Sequence, residues 1–267
     1  MFVRNSLRAV RQAIIVASFL LPQAALAIDT AVPTLAQNLR AIENLSAVGD
    51  QLKEVLTPEV GFPAEYVEQW HAAVDEAFAR EMLEADFLTA LEAELSEDTR
   101  DAALTFDASP IGREMYELVT SAASVKDAPE ILEKTRAYIE AAPAEENALF
   151  VDLFEAQMGP QRANDMMDTY FRAMKTAAEP LIGTDAAEQW VVEADDLRTG
   201  YVENHFLATV MIFSQLPSER LKELVRSLTT SEMITYAEQS TAAYANALNA
   251  AADRLETTYA KALNGNN

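Results

Sequence analysis

The sequence predicts an all-α protein, a multi-helix bundle of about a dozen helices. Ala, Glu and Leu dominate the composition, whereas only 7 Gly and 10 Pro occur. Apolar residues recur three or four positions apart almost throughout, and no long segment alternates polar and apolar residues. The chain contains no Cys, so an apolar core rather than a disulfide framework must hold the fold together.

The first 27 residues have the organisation of a secretory signal peptide. Arg4, Arg8 and Arg11 form a positively charged start, a short apolar run follows, and Ala25-Leu26-Ala27 matches an A-x-A cleavage site. The run is shorter than the roughly 20 residues that a membrane-spanning helix needs. We therefore expect a periplasmic or secreted protein that begins at Ile28 and has no membrane span after cleavage. An uncleaved anchor is the alternative.

The composition is strongly acidic. The formal charge is −23, and it becomes −26 if the predicted signal is removed with its three arginines. Nucleic-acid-binding proteins need clustered Lys and Arg to displace counterions from phosphates, and anionic lipids repel an acidic surface. The charge argues against a nucleic-acid partner and against docking on anionic lipid, and its main effect is on solubility.

The most specific stretch is a helical corner at residues 106–119. A helix ends just after Phe106, is broken at Ser109-Pro110, and a new apolar helix begins at once. Pro is favourable at the first position of a helix, and Ser just before it can cap the free backbone N–H groups. Gly112 has no side chain, so the new helix can lie close against the preceding one. We predict structural roles for Phe106, Ser109, Pro110 and Gly112.

The other helix boundaries follow Pro, Gly and capping residues. Before the corner, we expect an interruption at Ser46–Gly49 and a loop at Thr57–Pro63. After it, we expect breaks at Lys126–Pro129, at Gly159-Pro160 and at Pro180–Thr184. The helices between these breaks are predicted from periodic apolar residues, among them Leu35, Leu39 and Ile42; Val67, Trp70, Val74 and Phe78; Phe87, Leu91 and Leu95; Leu149, Phe150, Leu153 and Phe154; and Val202, Phe206, Val210 and Phe213.

The predicted C-terminal helix, from Ser231 to about Leu263, is the longest. Small residues accumulate along its apolar seam, and an Ala buries little area. We expect the protein's own helices to cover the seam for most of its length and its distal part least. If that distal part is exposed, the region around Leu255 and Tyr259 is the candidate for partner docking. The seam steps alternately by three and four residues: Ile234, Ala237, Thr241, Tyr244, Leu248, Ala251, Leu255, Thr258 and Ala262.

Two stretches resemble a known family. RAIENLSAVGDQLKEVL, Arg40–Leu56, and the corner with Phe followed by Ser-Pro-x-Gly-Arg resemble the bacterial domain of unknown function 2059, over about Leu35 to Ser121. The family usually carries a second aromatic after the Phe, where this chain has Asp107. The resemblance implies an exported, all-helical bacterial protein of unassigned activity, and it supplies no catalytic residues.

The second half of the chain repeats parts of the first. Glu-Gln-Trp occurs at residues 68–70 and again at 188–190. A duplicated helical unit accounts for such repeats, with a first unit at residues 28–125 and a second unit, including the C-terminal helix, at 126–267. Chance matches in Glu- and Leu-rich helices are the alternative. The corner spacing also occurs twice: Phe106, Pro110 and Arg113, then Phe213, Pro217 and Arg220.

Few residues are candidates for chemistry. His71 has Glu68 three positions before it and Asp75 four positions after it, a spacing that could ligate zinc from one helical face. A solvated acidic face is the alternative, and His205 is expected to be a packed structural histidine. A methionine-bearing helix could line an apolar groove but is more often core; its residues are Met166, Met167, Tyr170, Phe171 and Met174.

The sequence thus favours an exported helical protein that is not an enzyme and uses no cofactor. No phosphate-binding loop, nucleophile elbow or zinc-protease motif occurs. The long seamed C-terminal helix favours another protein or an apolar ligand as the partner. The alternative is a carboxylate- and metal-dependent enzyme of a helical class. The sequence names neither the ligand nor the partner.

Overall fold

The computed structural model describes residues 31–57, 62–122, 128–194 and 196–264. Those ranges contain 13 α-helices and no strand, which confirms the predicted all-α class. The predicted signal peptide with Ala25 and Ala27, and the predicted boundary between residues 125 and 126, lie outside the described residues. Of the helices described, none combines the length and the apolar character that crossing a bilayer requires.

The helices follow one another with short connections. They are α1 (Ala31–Leu39), α2 (Ala41–Lys53), α3 (Ala64–Ala77), α4 (Arg80–Glu94), α5 (Glu97–Ala108), α6 (Pro110–Ala122), α7 (Ala128–Ala141), α8 (Ala144–Ala156), α9 (Gly159–Ile182), α10 (Thr184–Ala194), α11 (Asp196–Phe213), α12 (Ser218–Leu228) and α13 (Ser231–Asn264).

The helices bury two apolar cores. The first core lies among α1 to α4, α9, α10, the start of α11 and the distal part of α13, and includes Trp70 and Tyr170. The second lies among α5, α6, α8, the end of α11, α12 and the start of α13, together with Leu35 of α1, and includes Phe106, Phe150 and Phe213. Each core draws on both sides of residue 125, so the two predicted units do not coincide with the two cores. Their relation by duplication stays a prediction.

The longest helix, α13, belongs to both cores. Its observed end at Asn264 lies one residue beyond the predicted one. Met233 and Tyr236 pack in the second core, whereas Leu248 packs in the first. Ile234 was predicted to face the core, but it is 39% exposed because Met233 and Tyr236 occupy the buried face of this turn.

The seam of α13 is buried from Ala237 to Leu255, as predicted, and its distal positions Thr258 and Ala262 are half-buried. The prediction of an exposed docking surface around Leu255 and Tyr259 is wrong. Leu255 and Tyr259 are each 1% exposed. The Tyr259 ring packs edge-on against the buried Trp70, with 5.2 Å between ring centroids. Arg254 holds the same turn in place by donating from Nε and Nη2 to the carbonyl of Ala77, at 3.1 and 3.0 Å. This seam is therefore not available as a docking surface.

The corner has the predicted construction. Phe106 is buried, α6 begins at Pro110, and Ser109 Oγ accepts a hydrogen bond from the Gly112 N–H at 3.0 Å. A Cβ on Gly112 would lie 2.1 Å from the backbone oxygen of Phe106. Only glycine therefore allows α6 to approach the end of α5 this closely.

The second corner shares the buried Phe and the Pro at a helix start, but it has no Ser cap and carries Glu219 where the first has Gly112. Phe213 is buried, and Pro217 immediately precedes α12, so each predicted Pro lies at a helix start. The two arginines differ. Arg113 bonds to a carbonyl of its own corner, whereas Arg220 Nε donates to Glu114 Oε2 of α6 at 2.9 Å. This ion pair joins the second helices of the two corners.

Some boundaries differ from the predicted ones. α2 runs unbroken through Ser46–Gly49, where glycine serves close packing: a Cβ on Gly49 would lie 2.7 Å from Cβ of Phe78. The chain turns instead at Arg40, whose φ of 53° is left-handed. α9 also continues past Pro180 and ends at Ile182, because a proline in the last turn displaces few helical hydrogen bonds.

Candidate functional site: a polar cavity between the two cores

The predicted zinc ligands do not converge. His71 Nε2 lies 3.1 Å from the carbonyl oxygen of Lys53 and 3.2 Å from that of Leu56, so the ring joins α3 to the end of α2. Asp75 pairs with Lys53 Nζ at 2.5 Å, and Glu68 is exposed. Across the part of the chain that the structure describes, no group of three or more His, Cys, Asp or Glu is arranged to hold a metal ion.

A large surface groove lies between α3, α9 and α13, with a volume of about 960 Å³. Its basic groups are paired within the protein. Arg172 Nε donates to Glu256 Oε1 at 2.6 Å, and Lys175 Nζ pairs with Glu188 at 2.7 Å. Since exposed paired charges offer little specific attraction to a ligand, the candidate site lies elsewhere.

Two adjoining cavities lie where the two cores meet. The first has a volume of about 150 Å³, and the second, of about 90 Å³, extends toward α4, α9 and α11. Leu39, Asn44, Gln157, Arg162 and Ser240 line both, so the two are parts of one site. The apolar walls are Phe106, Met115, Val119 and Met233 in the first cavity and Phe87, Phe154 and Met166 in the second.

Two strained connections border this cavity site. Arg40, with φ 53°, joins α1 to α2 and lines the first cavity; Met158, with φ 54°, lies between the lining residues Gln157 and Gly159. These are the non-glycine residues with positive φ in the described ranges. Such a conformation is costly for a residue with a Cβ and is concentrated at functional sites. The backbone strain therefore coincides with the cavity.

Arg162, in the first turn of α9, is the basic residue common to both cavities. Its Nε donates to Thr241 Oγ1 at 2.9 Å, and its Nη2 donates to Ser240 Oγ at 3.1 Å. Burial lowers the pKa of Arg162, and two tyrosines exert a smaller opposing effect. The guanidinium group thus has neutral hydroxyl partners from α13 on one side.

Arg40 is the second basic group of the site. It is only 4% exposed, and none of its three guanidinium nitrogens has a hydrogen-bond partner among the described residues. Burial lowers its pKa to about 10, against a smaller opposing effect of Glu43. A buried charged group without a partner is costly, so this side chain has unused capacity to bind an anion.

Two tyrosine hydroxyls complete the polar surface. Tyr236 lines the first cavity and Tyr244 the second, and each hydroxyl is buried without a hydrogen-bond partner among the described residues. Burial is the main cause that raises the pKa of each phenol. Both hydroxyls therefore stay protonated at neutral pH and are able to donate.

His205 lines the second cavity as a packed aromatic residue. Its ring centroid lies 5.9 Å from that of Phe154, and it stacks on Tyr201 at 6.3 Å. Burial, followed by the charge of Arg162, lowers the pKa of His205 to about 4. The imidazole is therefore neutral at pH 7, consistent with the structural role predicted for it.

We expect His205 to make the folded state less stable as the pH falls from about 6.5 to about 4. The ordinary histidine pKa is 6.5 and the folded pKa is about 4, so between these values the unfolded chain binds more protons. The loss reaches about 3 kcal/mol at the acidic end. Urea unfolding at several pH values should show a weaker pH dependence for His205→Gln than for the wild type. The same dependence in both proteins would contradict this assignment.

Asp107, which takes the place of the aromatic in the resembling family, lies beside the first cavity. Its carboxylate accepts hydrogen bonds from Asn38 Nδ2 on α1 and from Tyr116 Oη on α6, and both of these residues line the cavity. Burial raises the pKa of Asp107, and the two hydrogen bonds oppose the rise. Asp107 thus holds three helices around the site.

Neither arginine was among the site residues predicted from the sequence. A signal existed for Arg162, because it precedes Met166 and Tyr170 by four and eight positions and so lies on the apolar face of α9. A basic residue on an apolar face indicates a buried polar function. Arg40 carries no such signal. Most of the methionine stripe is core, as expected, since Met167 and Met174 are at most 2% exposed, whereas Met166 also lines the second cavity.

Comparison of the chain with protein-family models, with curated proteins and with solved structures finds no match. The resemblance of Leu35 to Ser121 to the domain of unknown function 2059 therefore stays a prediction. The function has to be inferred from the residues of the site.

Proposed function

We propose that the protein is an exported helical protein that binds a small molecule with an apolar body in the cavity site. The observation that carries the proposal is the composition of the cavity: apolar walls from both cores and a few convergent polar groups. Small-molecule sites have this composition. The first cavity, with a volume of about 150 Å³, matches engineered apolar cavities that admit benzene, so the apolar body that it admits has roughly the size of one ring.

Export is supported by the leader at residues 1–27. We expect the mature protein to begin at Ile28, because cleavage follows the A-x-A site. N-terminal sequencing and intact mass of protein recovered from the periplasm measure this directly. An intact Met1, or a lipid on the first residue, would contradict it.

The other functions considered have less support. A partner protein on the distal seam of α13 is disfavoured because Leu255 and Tyr259 are buried by the protein's own helices. A carboxylate- and metal-dependent enzyme stays a prediction, and metal analysis of the purified protein tests it.

The proposal is tested by thermal unfolding of the mature protein with toluene, benzyl alcohol, benzamide and benzoate. A ligand that binds only the folded state raises the free energy of unfolding by about 2.7 kcal/mol at 100 times its Kd. We expect at least one of these ring compounds to raise the midpoint in a concentration-dependent way. No shift with any of them, at concentrations up to their solubility, would contradict the proposal.

A matched pair of variants on α13 locates the binding. Ala237 lines the first cavity and is buried, whereas Ala242 is exposed on the same helix. Ala237→Leu should place its side chain in the cavity and abolish the ligand shift while the protein stays folded, as measured by circular dichroism. Ala242→Leu should leave the shift unchanged. An undiminished shift in folded Ala237→Leu would place the ligand outside the cavity.

A further inference from the structure

The two arginines of the cavity site differ from the other arginines packed in the bundle. Among the described residues, neither guanidinium has a carboxylate within ion-pair distance. Glu43, one turn after Arg40, accepts instead from Arg80 Nη2 at 3.1 Å. By contrast, four arginines elsewhere each contact a carboxylate: Arg172 with Glu256, Arg198 with Asp168, Arg220 with Glu114 and Arg254 with Asp86.

The lack of a carboxylate partner at Arg40 and Arg162 is unusual in so acidic a chain. With 43 Asp and Glu against 20 Lys and Arg, a carboxylate partner is the common environment of a basic group. Burying a guanidinium without a counter-charge is unfavourable, and the cost is offset when an anion is bound to it. The Arg40 side chain is nearly fully buried, so its charge is available to a molecule inside the cavity and not to one on the surface.

The neutral groups of the site suit the same kind of ligand. The Tyr236 and Tyr244 hydroxyls are buried donors without partners among the described residues, and Arg162 is already oriented by Ser240 and Thr241. A guanidinium is planar and matches the two oxygens of a carboxylate. Asn44, which lines both cavities, carries one buried acceptor without a partner among the described residues, and the unpartnered donors of Arg40, Tyr236 and Tyr244 outnumber it.

We propose that the ligand is a small monocarboxylate whose carboxylate group binds Arg40 and Arg162 while its apolar body contacts Phe106 and Met233. This inference rests on the proposed function and names the ligand class for the same site. One carboxylate is favoured over a dianionic phosphate because Asp107 lies directly behind two lining residues, Asn38 and Tyr116, and would repel a second charge. The volume of the cavity limits the apolar body to roughly one ring or a short chain.

Isothermal titration of the mature protein with benzoate, benzamide and phenyl phosphate tests the proposal. Benzoate and benzamide have nearly the same shape, so their comparison isolates the charge. We expect benzoate to bind about 10- to 100-fold more tightly, since hydrogen bonds to charged groups are the stronger ones. Equal affinities would overturn the carboxylate inference and leave the proposed function standing. Tighter binding of phenyl phosphate would overturn it in favour of a phosphate ester. No binding of any of the three would overturn the carboxylate inference, and the thermal shifts with toluene and benzyl alcohol would then decide whether the proposed function stands.

Two arginine variants assign the contact. Arg40→Gly removes the buried charge and places glycine at a left-handed φ, so the variant should fold; Arg162→Met keeps an apolar side chain on α9. Each variant should lower the affinity for benzoate by about tenfold or more and leave the affinity for benzamide nearly unchanged. Arg136→Met, on the exposed face of α7, is the control and should change neither. If folded Arg40→Gly binds benzoate as tightly as the control variant does, the inference is wrong.

Discussion

Replacing Trp70 by Ala is expected to lower the free energy of unfolding by about 3–5 kcal/mol. The indole is fully buried, its Nε1 donates to the carbonyl of Leu52 at 2.8 Å, and its ring packs against Tyr259. Truncation would leave a cavity in the first core and a buried carbonyl without its donor. Urea unfolding followed by circular dichroism measures the change.

Two further variants separate packing from general sensitivity to mutation. Tyr259→Phe keeps the ring and removes a buried hydroxyl that has no hydrogen-bond partner among the described residues, so it should be nearly neutral or slightly stabilising. Val192→Ala, at a position 73% exposed, should change stability by less than about 0.5 kcal/mol. If Trp70→Ala costs no more than Val192→Ala, the packing described for the first core is wrong.

Gly112→Ala is expected to destabilise the protein by about 3 kcal/mol. The added Cβ would lie 2.1 Å from the Phe106 backbone oxygen, and a backbone atom cannot turn aside as a flexible side chain can. The two helices of the corner would have to separate, and the packing of Phe106 and Ile111 in the second core would be lost with them. Thermal and urea unfolding give the magnitude.

Gly200→Ala is the matched control for the corner. Gly200 lies within α11, and a Cβ there would meet no atom within 4 Å. Alanine is the better helix former, so this variant should gain about 0.5–1 kcal/mol. The same chemical change thus has opposite expected effects at the two positions. No loss of stability in Gly112→Ala would contradict the close approach at Gly112, and an equal loss in Gly200→Ala would show that the effect is not specific to the corner.

Local signals predicted the fold class and the corner well. The spacing of apolar residues gave the helices, and Ser109-Pro110 fixed the start of α6, because capping and proline geometry depend on neighbouring residues alone. Gly49 shows where local signals fail to predict a helix boundary. This glycine suggested a break, but the residue serves contact with Phe78 on another helix. The actual turn at Arg40 has no local signal, since arginine is a good helix former.

The cavity site could not be predicted in the same way. Arg40 and Arg162 are far apart in the chain, and they come together only because α1, α9 and α13 meet at the junction of the cores. The spacing of His71, Glu68 and Asp75 is visible in the sequence. In the structure, however, Asp75 forms an ion pair with Lys53, and the His71 ring contacts backbone carbonyl oxygens. These contacts are made with residues at the end of a neighbouring helix. The spacing of residues within one helix does not reveal them.

The position of α13 has a consequence for biosynthesis. This helix supplies Met233 and Tyr236 to one core and Leu248, Leu255 and Tyr259 to the other, and it is the last of the described helices to leave the ribosome. Neither core can close before that helix has been synthesised. During most of its translation the nascent chain therefore lacks part of both apolar cores, and their burial is completed only when the last helix has left the ribosome.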